Sequence, residues 1–305
     1  MDPLSDVLSL LKPHTYMAAG LEAGGAWSIQ FPDQQTCIKT GAVLGGRCWI
    51  DVDGEAVAMS AGDFFLLPSG KPFRMATDLA LDSVDAATAF SGRRTGGVVH
   101  LNEGRDFSIV STRFALSGSH SDMLLKMLPP IVHIRDAPDQ GALRWSVERM
   151  MQELRGQQPG SGLLIDHLAH MMLIEALRLH LAGGAEGAVG WLYALADRQI
   201  GTAIRLMHEA PGRGWTLQEL AHAVGMSRST FALRFKQLAG SAPMDYLTRW
   251  RMLLAGNRLK TSDEPISAIA IQSGYESESA FSTAFKRVMG CAPRHFARAQ
   301  QQIAA

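Results

Sequence analysis

The residues best placed for chemistry lie in a segment that the chain uses twice. Ser227 to Pro243 and Ser277 to Pro293 share eight identities at a fixed offset, among them Phe231/Phe281, Phe235/Phe285, Lys236/Lys286 and Gly240/Gly290. The first copy offers Arg228, Ser229, Thr230, Leu233 and Lys236, and the second offers Glu278, Ser279, Ser282, Thr283, Lys286 and Arg287. Ammonium and guanidinium groups suit the phosphates of a polyanion, which give affinity without sequence choice. Hydroxyls and a carboxylate suit base edges, a carboxylate in particular accepting from a cytosine amino group. Two smaller sets stand beside these. Cys37 and Cys48, eleven residues apart near Trp49, are a candidate thiol switch on neighbouring strands, or two small buried hydrophobes. His167 and His170 at i,i+3 could share a metal, or be packed or surface groups. Catalytic triads, phosphate-binding glycine loops and Cys-x2-Cys spacings are absent from the sequence, so neither catalysis nor a cofactor or metal is expected.

The elements that must position the repeated residues follow from spacing. Each copy is preceded by a short helix with apolar residues at i,i+3, Leu217/Leu220 or Ile266/Ile269, and by a glycine, Gly225 or Gly274. A glycine supplies the positive φ that ends a helix. Ser227 or Ser277 is then the N-cap of a second helix, which turns its Phe pair inward on one face. Ser229, Leu233 and Lys236 consequently face outward with Ala232 on the flank, as do Ser279, Thr283 and Lys286 with Ser282 flanking and Glu278 in the first turn. Helix, glycine turn and capped helix form the helix-turn-helix pattern, whose second helix enters the DNA major groove. Met244 to Lys260 predicts an uninterrupted helix of about 25 Å. It would separate two reading heads whose grooves recur about every 34 Å.

Composition agrees. Charged residues make up 19% and hydrophobic ones 47% of the 305 residues, enough for two cores. Residues 1–190 carry 15 Lys and Arg against 21 Asp and Glu, whereas residues 191–305 carry 14 against 8. The basic part is the one with the repeats, as a nucleic-acid partner requires. No apolar stretch is long enough to span a membrane. The opening MDPLSDVLSLLKP lacks a basic run, which argues against a signal peptide and for a cytoplasmic protein. Three cysteines make no disulfide framework.

The first half predicts a short apolar helix before Pro13, then many short strands from Ala26 to about Phe114. They are Trp27–Ile29, Cys37–Ile38, Ala42–Leu44, Cys48–Val52, Ala56–Met59, Asp63–Leu67 and Phe107–Val110. Asp53-Gly54 between two of them is a hairpin signal, and the pattern is that of a sandwich or small barrel. From Asp139 the period becomes helical, with a second helix from Leu163 to Leu181; this pair is either a dimer contact or a cap on the barrel. Gly183 to Gly190, with four glycines, predicts a linker, and Asp197 to Glu209 a further helix.

Gly62-Asp63-x4-Pro68-x-Gly70 resembles the second motif of the cupin barrel, but Phe73 and Thr77 stand where that motif has His and Asn. The first motif's His-x-His is absent as well. An apolar interior that takes a small ligand, or none, fits better than a metal enzyme. The C-terminal part resembles the AraC/XylS family of bacterial transcription regulators through Trp215-Thr-Leu-x-Glu-Leu-Ala221, Gly225-Met-Ser-Arg-Ser229, Tyr246-Leu-x-x-Trp250-Arg-Met252, Gly274-Tyr-Glu-Ser-Glu-Ser-Ala-Phe281 and Gly290-x-x-Pro293. The N-terminal part is similar to the cupin-type sensing domain of one branch, through Val43-Leu-x-Gly46, Cys48-Trp49, Gly62-Asp63, Leu67-Pro68 and Leu128-Pro129-Pro130. The resemblance implies a bacterial activator that binds double-stranded promoter DNA and RNA polymerase, with a barrel that senses a small molecule or stress signal and pairs two chains. The expected fold is multidomain α+β. A cupin-like barrel (about 20–115) with a helical pair (about 139–182) makes the domain 1–182. A linker over 183–192 then leads to an all-α tandem helix-turn-helix domain over 193–305. Two alternatives remain: a redox-sensing regulator using Cys37 and Cys48, and a metal-dependent cupin enzyme with a DNA-binding appendage. In related domains the first recognition helix often carries long polar residues. Here Ala232 and Leu233 place polar readout on Glu278, Ser279, Ser282 and Thr283 of the second.

Overall fold

The computed structural model describes residues 2–33, 37–91, 94–95, 97–116, 129–135, 140–182 and 190–304, which form two compact bodies. Two facing sheets make the first. The larger runs β12 (Val132–Ile134), β6 (Phe64–Leu67), β3 (Cys37–Gly45), β11 (Phe107–Leu116), β1 (Pro13–Ala23), β10 (Val98–Leu101) and β9 (Arg94–Thr95) side by side. The smaller runs β5 (Glu55–Ser60), β4 (Arg47–Val52), β7 (Phe73–Ala76), β2 (Ser28–Phe31) and β8 (Val84–Asp85). Their inner faces share one core that includes Trp27, Ile50, Phe65 and Met75. Burying these apolar faces, at roughly 25 cal/mol per Å² removed from water, holds the sheets together.

The hairpin signal at Asp53-Gly54 is matched in the backbone. Both residues have positive φ (56° and 85°) between Val52 and Glu55, which pair across β4 and β5; this is the two-residue turn whose twist suits a hairpin. Elsewhere the strands differ from expectation. Cys37–Ile38 and Ala42–Leu44 belong to one strand, β3, that runs through Lys39, Thr40 and Gly41. Thr40 hydrogen-bonds Thr112 across the ladder at 2.6 Å. Gly41 leaves room for the Phe65 ring, which would lie 2.4 Å from any Cβ there. The first strand begins at Pro13, well before Ala26. Its run of Ala18, Ala19 and Gly20 carries little β propensity, yet β1 lies inside the larger sheet and bonds both neighbours.

Helices α3 (Gly141–Gly156) and α4 (Ser161–Ala182) pack on the outer face of the larger sheet. A Cβ on Gly20 would lie 3.0 Å from Met151 Sδ, so Met151 packs closely over this glycine, and Arg155 pairs with the buried carboxylate of Glu22. Capping is therefore one role of this pair. It also leaves Trp145 and Leu163 exposed, at 56% and 67%. His170 is packed: its ring meets Phe114 edge-on, and Nδ1 and Nε2 each lie 2.8 Å from a backbone oxygen, of Asp166 and Pro13.

Cys37 and Cys48 are not on neighbouring strands, since β3 and β4 belong to different sheets. Eight residues of extended β3 carry the chain about 26 Å from Cys37 to Gly45, and the three to Cys48 return at most about 10 Å. The two Cα atoms are thus at least about 15 Å apart, against the 7 Å limit for a disulfide. Burial raises both thiols, that of Cys48 to about 12 with help from Asp63, so neither is a reactive thiolate at neutral pH. In this fold Cys37 and Cys48 are therefore not placed to form a direct disulfide.

The second body is helical. It holds α5 (Trp191–Ala196), α6 (Arg198–Glu209), α7 (Leu217–Ala223), α8 (Arg228–Ala239), α9 (Pro243–Thr261), α10 (Ile266–Gln272), α11 (Glu278–Met289) and α12 (Pro293–Ala304). The N-terminal helix α1 (Pro3–Leu11), which Asp2 caps and Pro13 follows, packs here against α6 and α9. Residues 183–189 of the predicted linker 183–192, and Leu128, lie outside the described residues.

Candidate nucleic-acid interface

The two helix-turn-helix units are built by the residues the repeat singles out. Thr216 and Glu219 form a capping box at the start of α7, each side chain bonding the other's backbone N–H. Gly225 and Gly274 take φ of 67° and 79° in the two turns. Ser227 caps α8 by accepting from Thr230 N, and Ser277 caps α11 by accepting from Ala280 N. Phe231, Phe235, Phe281 and Phe285 are wholly buried. Gly240 and Gly290 close the helices in the left-handed region, and Pro243 and Pro293 open the next ones at their first turn. Proline is tolerated there because the missing N–H has no helical partner.

With both Phe pairs inward, the opposite faces are open to solvent. Arg228, Ser229, Thr230, Leu233 and Lys236 are exposed on α8; Ser279, Thr283, Lys286 and Arg287 are exposed on α11, where Glu278 and Ser282 are half-buried. Leu233 shows 61% of its surface. Thr283 Oγ1 donates to Ser279 O at 3.0 Å, which leaves its lone pairs outward. Glu278 lies 3.6 Å from the exposed Arg294, a solvated pair worth little and open to exchange. Every predicted contact residue thus lies on one of two matched faces.

Sequence reading missed the residues that fix the two units to each other. Arg251, on α9, donates from Nε to Pro211 O and from Nη2 to Arg213 O, both at 2.6 Å, just before the first unit. Its guanidinium also lies 6.0 Å from the Tyr275 ring in the second unit. Gly212 and Gly274 meet directly: a Cβ on Gly274 would lie 2.5 Å from Gly212 O. Arg234 of α8 reaches back to Asp197, the N-cap of α6, at 2.6 Å. Beneath α9, His208 stacks on Trp250 with centroids 3.9 Å apart. Its Nε2 lies 2.8 Å from the Tyr246 hydroxyl and its Nδ1 3.3 Å from Asp6 of α1. The tautomer that fits donates from Nδ1 to Asp6 and accepts from Tyr246 at Nε2. Burial pushes this imidazole down to about 3, so it is neutral at physiological pH.

Among the described residues no group of three or more His, Cys, Asp or Glu is placed to hold a metal, and no helix is long and apolar enough to cross a membrane. Phe73, where the cupin motif has its histidine, stacks on Phe31 with ring centroids 4.3 Å apart.

Known proteins share both halves. A cupin family model matches residues 2–182, and a helix-turn-helix domain model matches residues 220–299. A putative AraC-like transcription regulator of Streptomyces antibioticus is 40% identical over 96% of this chain and 97% of its own length. The HTH-type transcriptional regulator AlkR of Acinetobacter baylyi is 30% identical over 97% of this chain and 99% of its own. The solved DNA-binding domain of AdpA, in complex with a target DNA, is 31% identical over 33% of this chain and 92% of that one, with a TM-score of 0.33. Two capped recognition helices behind a cupin domain, together with this identity along almost the whole length, place the chain in the AraC family of DNA-binding transcription regulators.

Proposed function

We propose that this regulator reads promoter DNA with α8 and α11 in successive major grooves, and that its barrel adjusts the binding in response to a small molecule. The observation that carries the reading is the matched exposure of two recognition faces in one helical body. Arg228, Lys236, Lys286 and Arg287 contact phosphates. Ser229, Thr230 and Leu233 meet bases on the first helix, Leu233 through thymine methyls. Glu278, Ser279, Ser282 and Thr283 supply polar readout on the second. Activation through contact with RNA polymerase, a cytoplasmic location and the lack of enzymatic activity complete the proposal. So does homodimerisation through the exposed side of α3 and α4, which Trp145 and Leu163 support. The domains proposed are 1–182, a linker 183–192 and 193–305; α1 packs in the helical body rather than with the barrel, and α5 already begins at Trp191, within the linker range.

Capture of genomic fragments by the full-length protein, sequenced at two salt concentrations, tests the reading. Two sequence blocks one helical turn apart that survive the higher salt are expected. Retention without a motif, lost as salt rises, would mean phosphate contacts alone. In a binding-site selection, Glu278→Ala should change base preference at one block more than Leu233→Ala does at the other. Equal changes would move polar readout off α11.

A further inference from the structure

The interior of the barrel holds an electrostatic arrangement that its fold does not need. Lys39 on β3 and Arg113 on β11 are directly opposite in the antiparallel register, and both line one cavity of about 280 Å³ between the sheets. Lys39 is 4% exposed. Its ammonium lies 4.6 Å from the centroid of Phe31 and 4.8 Å from that of Phe73, rings that soften the charge without neutralising it. Among the described residues no Asp or Glu lines the cavity. Met75, Phe90, Val99 and Ile109 form apolar walls, and Ala86 and Ala87 of α2 (Ala86–Phe90) close one side with small side chains. Like charges directly opposite on a ladder repel, and a buried cation costs heavily without a counter-charge.

We infer that this cavity is a binding site for a small apolar carboxylate, whose anionic head lies between Lys39 and Arg113 and whose hydrocarbon or aromatic body fills the space against Met75, Phe90, Val99 and Ile109. The volume suits a compact ligand, near the lower end of small-molecule sites. This inference deepens the sensory reading of the barrel and rests on it. The groups around Lys39 are few. Arg113 faces it from β11 and Cys37 precedes it on its own strand. Tyr16 of β1 bonds both Cys37 and Arg113, and Asp33 acts on Cys37. Burial, and secondarily Arg113, bring the free ammonium down to about 7. An anion favours the charged form, so binding above pH 7 takes up a proton and affinity falls as pH rises, whereas below pH 7 no proton is needed.

Isothermal titration of the full-length protein with octanoate and with 1-octanol, at pH 6.5 and 8.5 in phosphate and in Tris, tests this. Octanoate should bind at least tenfold more tightly than octanol at pH 6.5, and more weakly at pH 8.5, with a buffer-dependent heat that reports uptake of up to one proton. Lys39→Met should reduce octanoate to the level of octanol while thermal melting shows the barrel folded, and Arg113→Gln should act in the same direction. Equal binding of octanoate and octanol, binding of neither, or octanoate affinity unchanged in Lys39→Met would overturn the inference. Octanoate bound through Lys39 with no effect on DNA capture would uphold the site and refute the sensory role.

Discussion

At the scale of single residues, His208 shows how a side chain outside the recognition faces supports them. It joins α6 to Trp250 and Tyr246 of α9, and to Asp6 of α1. Because burial holds the imidazole near 3 in the folded chain, while an unfolded histidine titrates near 6.5, the unfolded state binds more protons between those values. Stability from this group is therefore complete above about pH 6.5 and declines as pH falls toward 3. His208→Phe keeps the stacking on Trp250 but leaves the Tyr246 hydroxyl and Asp6 without their partner. It should cost about 1–3 kcal/mol at pH 7 and flatten the loss on acidification to pH 5. Melting curves of the full chain at both pH values would show it; an unchanged acid slope would assign the titration to other groups.

At the scale of elements, the two turns of the repeat look alike in sequence and differ in packing. Gly225 and Gly274 both need positive φ, but nothing lies within 4 Å of a Cβ built on Gly225, whereas one on Gly274 meets Gly212 O at 2.5 Å and Arg251 Nη2 at 3.0 Å. Gly225→Ala should cost only its backbone strain, about 1 kcal/mol. Gly274→Ala should cost clearly more in urea denaturation and weaken DNA binding, because it pushes the second unit away from the loop that Arg251 holds. Equal costs would show that the Gly212–Gly274 approach relaxes freely. The same comparison shows how far the sequence is legible. Caps, glycine turns, inward Phe pairs and the outward faces are local, periodic features, and all of them can be read from spacing. The approach of Gly212 to Gly274, and the reach of Arg251 to Pro211 and Arg213, join residues about forty or more apart, and no periodicity marks them. In the sheets, alternation fails for a related reason. Strand β3 is buried on both faces, by the smaller sheet within and by α3 without, so a continuous strand carrying Lys39 and Thr40 looks like two short ones. Cys37 and Cys48 are near in sequence, yet the chain changes sheets between them.

At the scale of the whole molecule, duplication replaces symmetry. A repressor dimer places two reading heads with two chains; on the proposed reading one chain carries both, and α9 with its 19 residues spans about 28 Å, close to the rise of one DNA turn. Arg251 and the Gly212–Gly274 contact hold the helix-turn-helix units in one body, so their separation and angle are fixed. The operator must then match the protein's geometry. Inserting five base pairs between the two sequence blocks turns the second groove to the opposite face of the duplex. Affinity should fall to that of a single block. Inserting ten restores the face but adds about 34 Å, more than the whole length of α9, so affinity should remain at the single-block level. Electrophoretic mobility shifts with the three spacings would measure this. Recovery with the ten-base-pair insertion would require heads on separate tethers, either within one chain or in the two chains of a dimer, and a footprint extended by one turn in that complex would show which blocks are held.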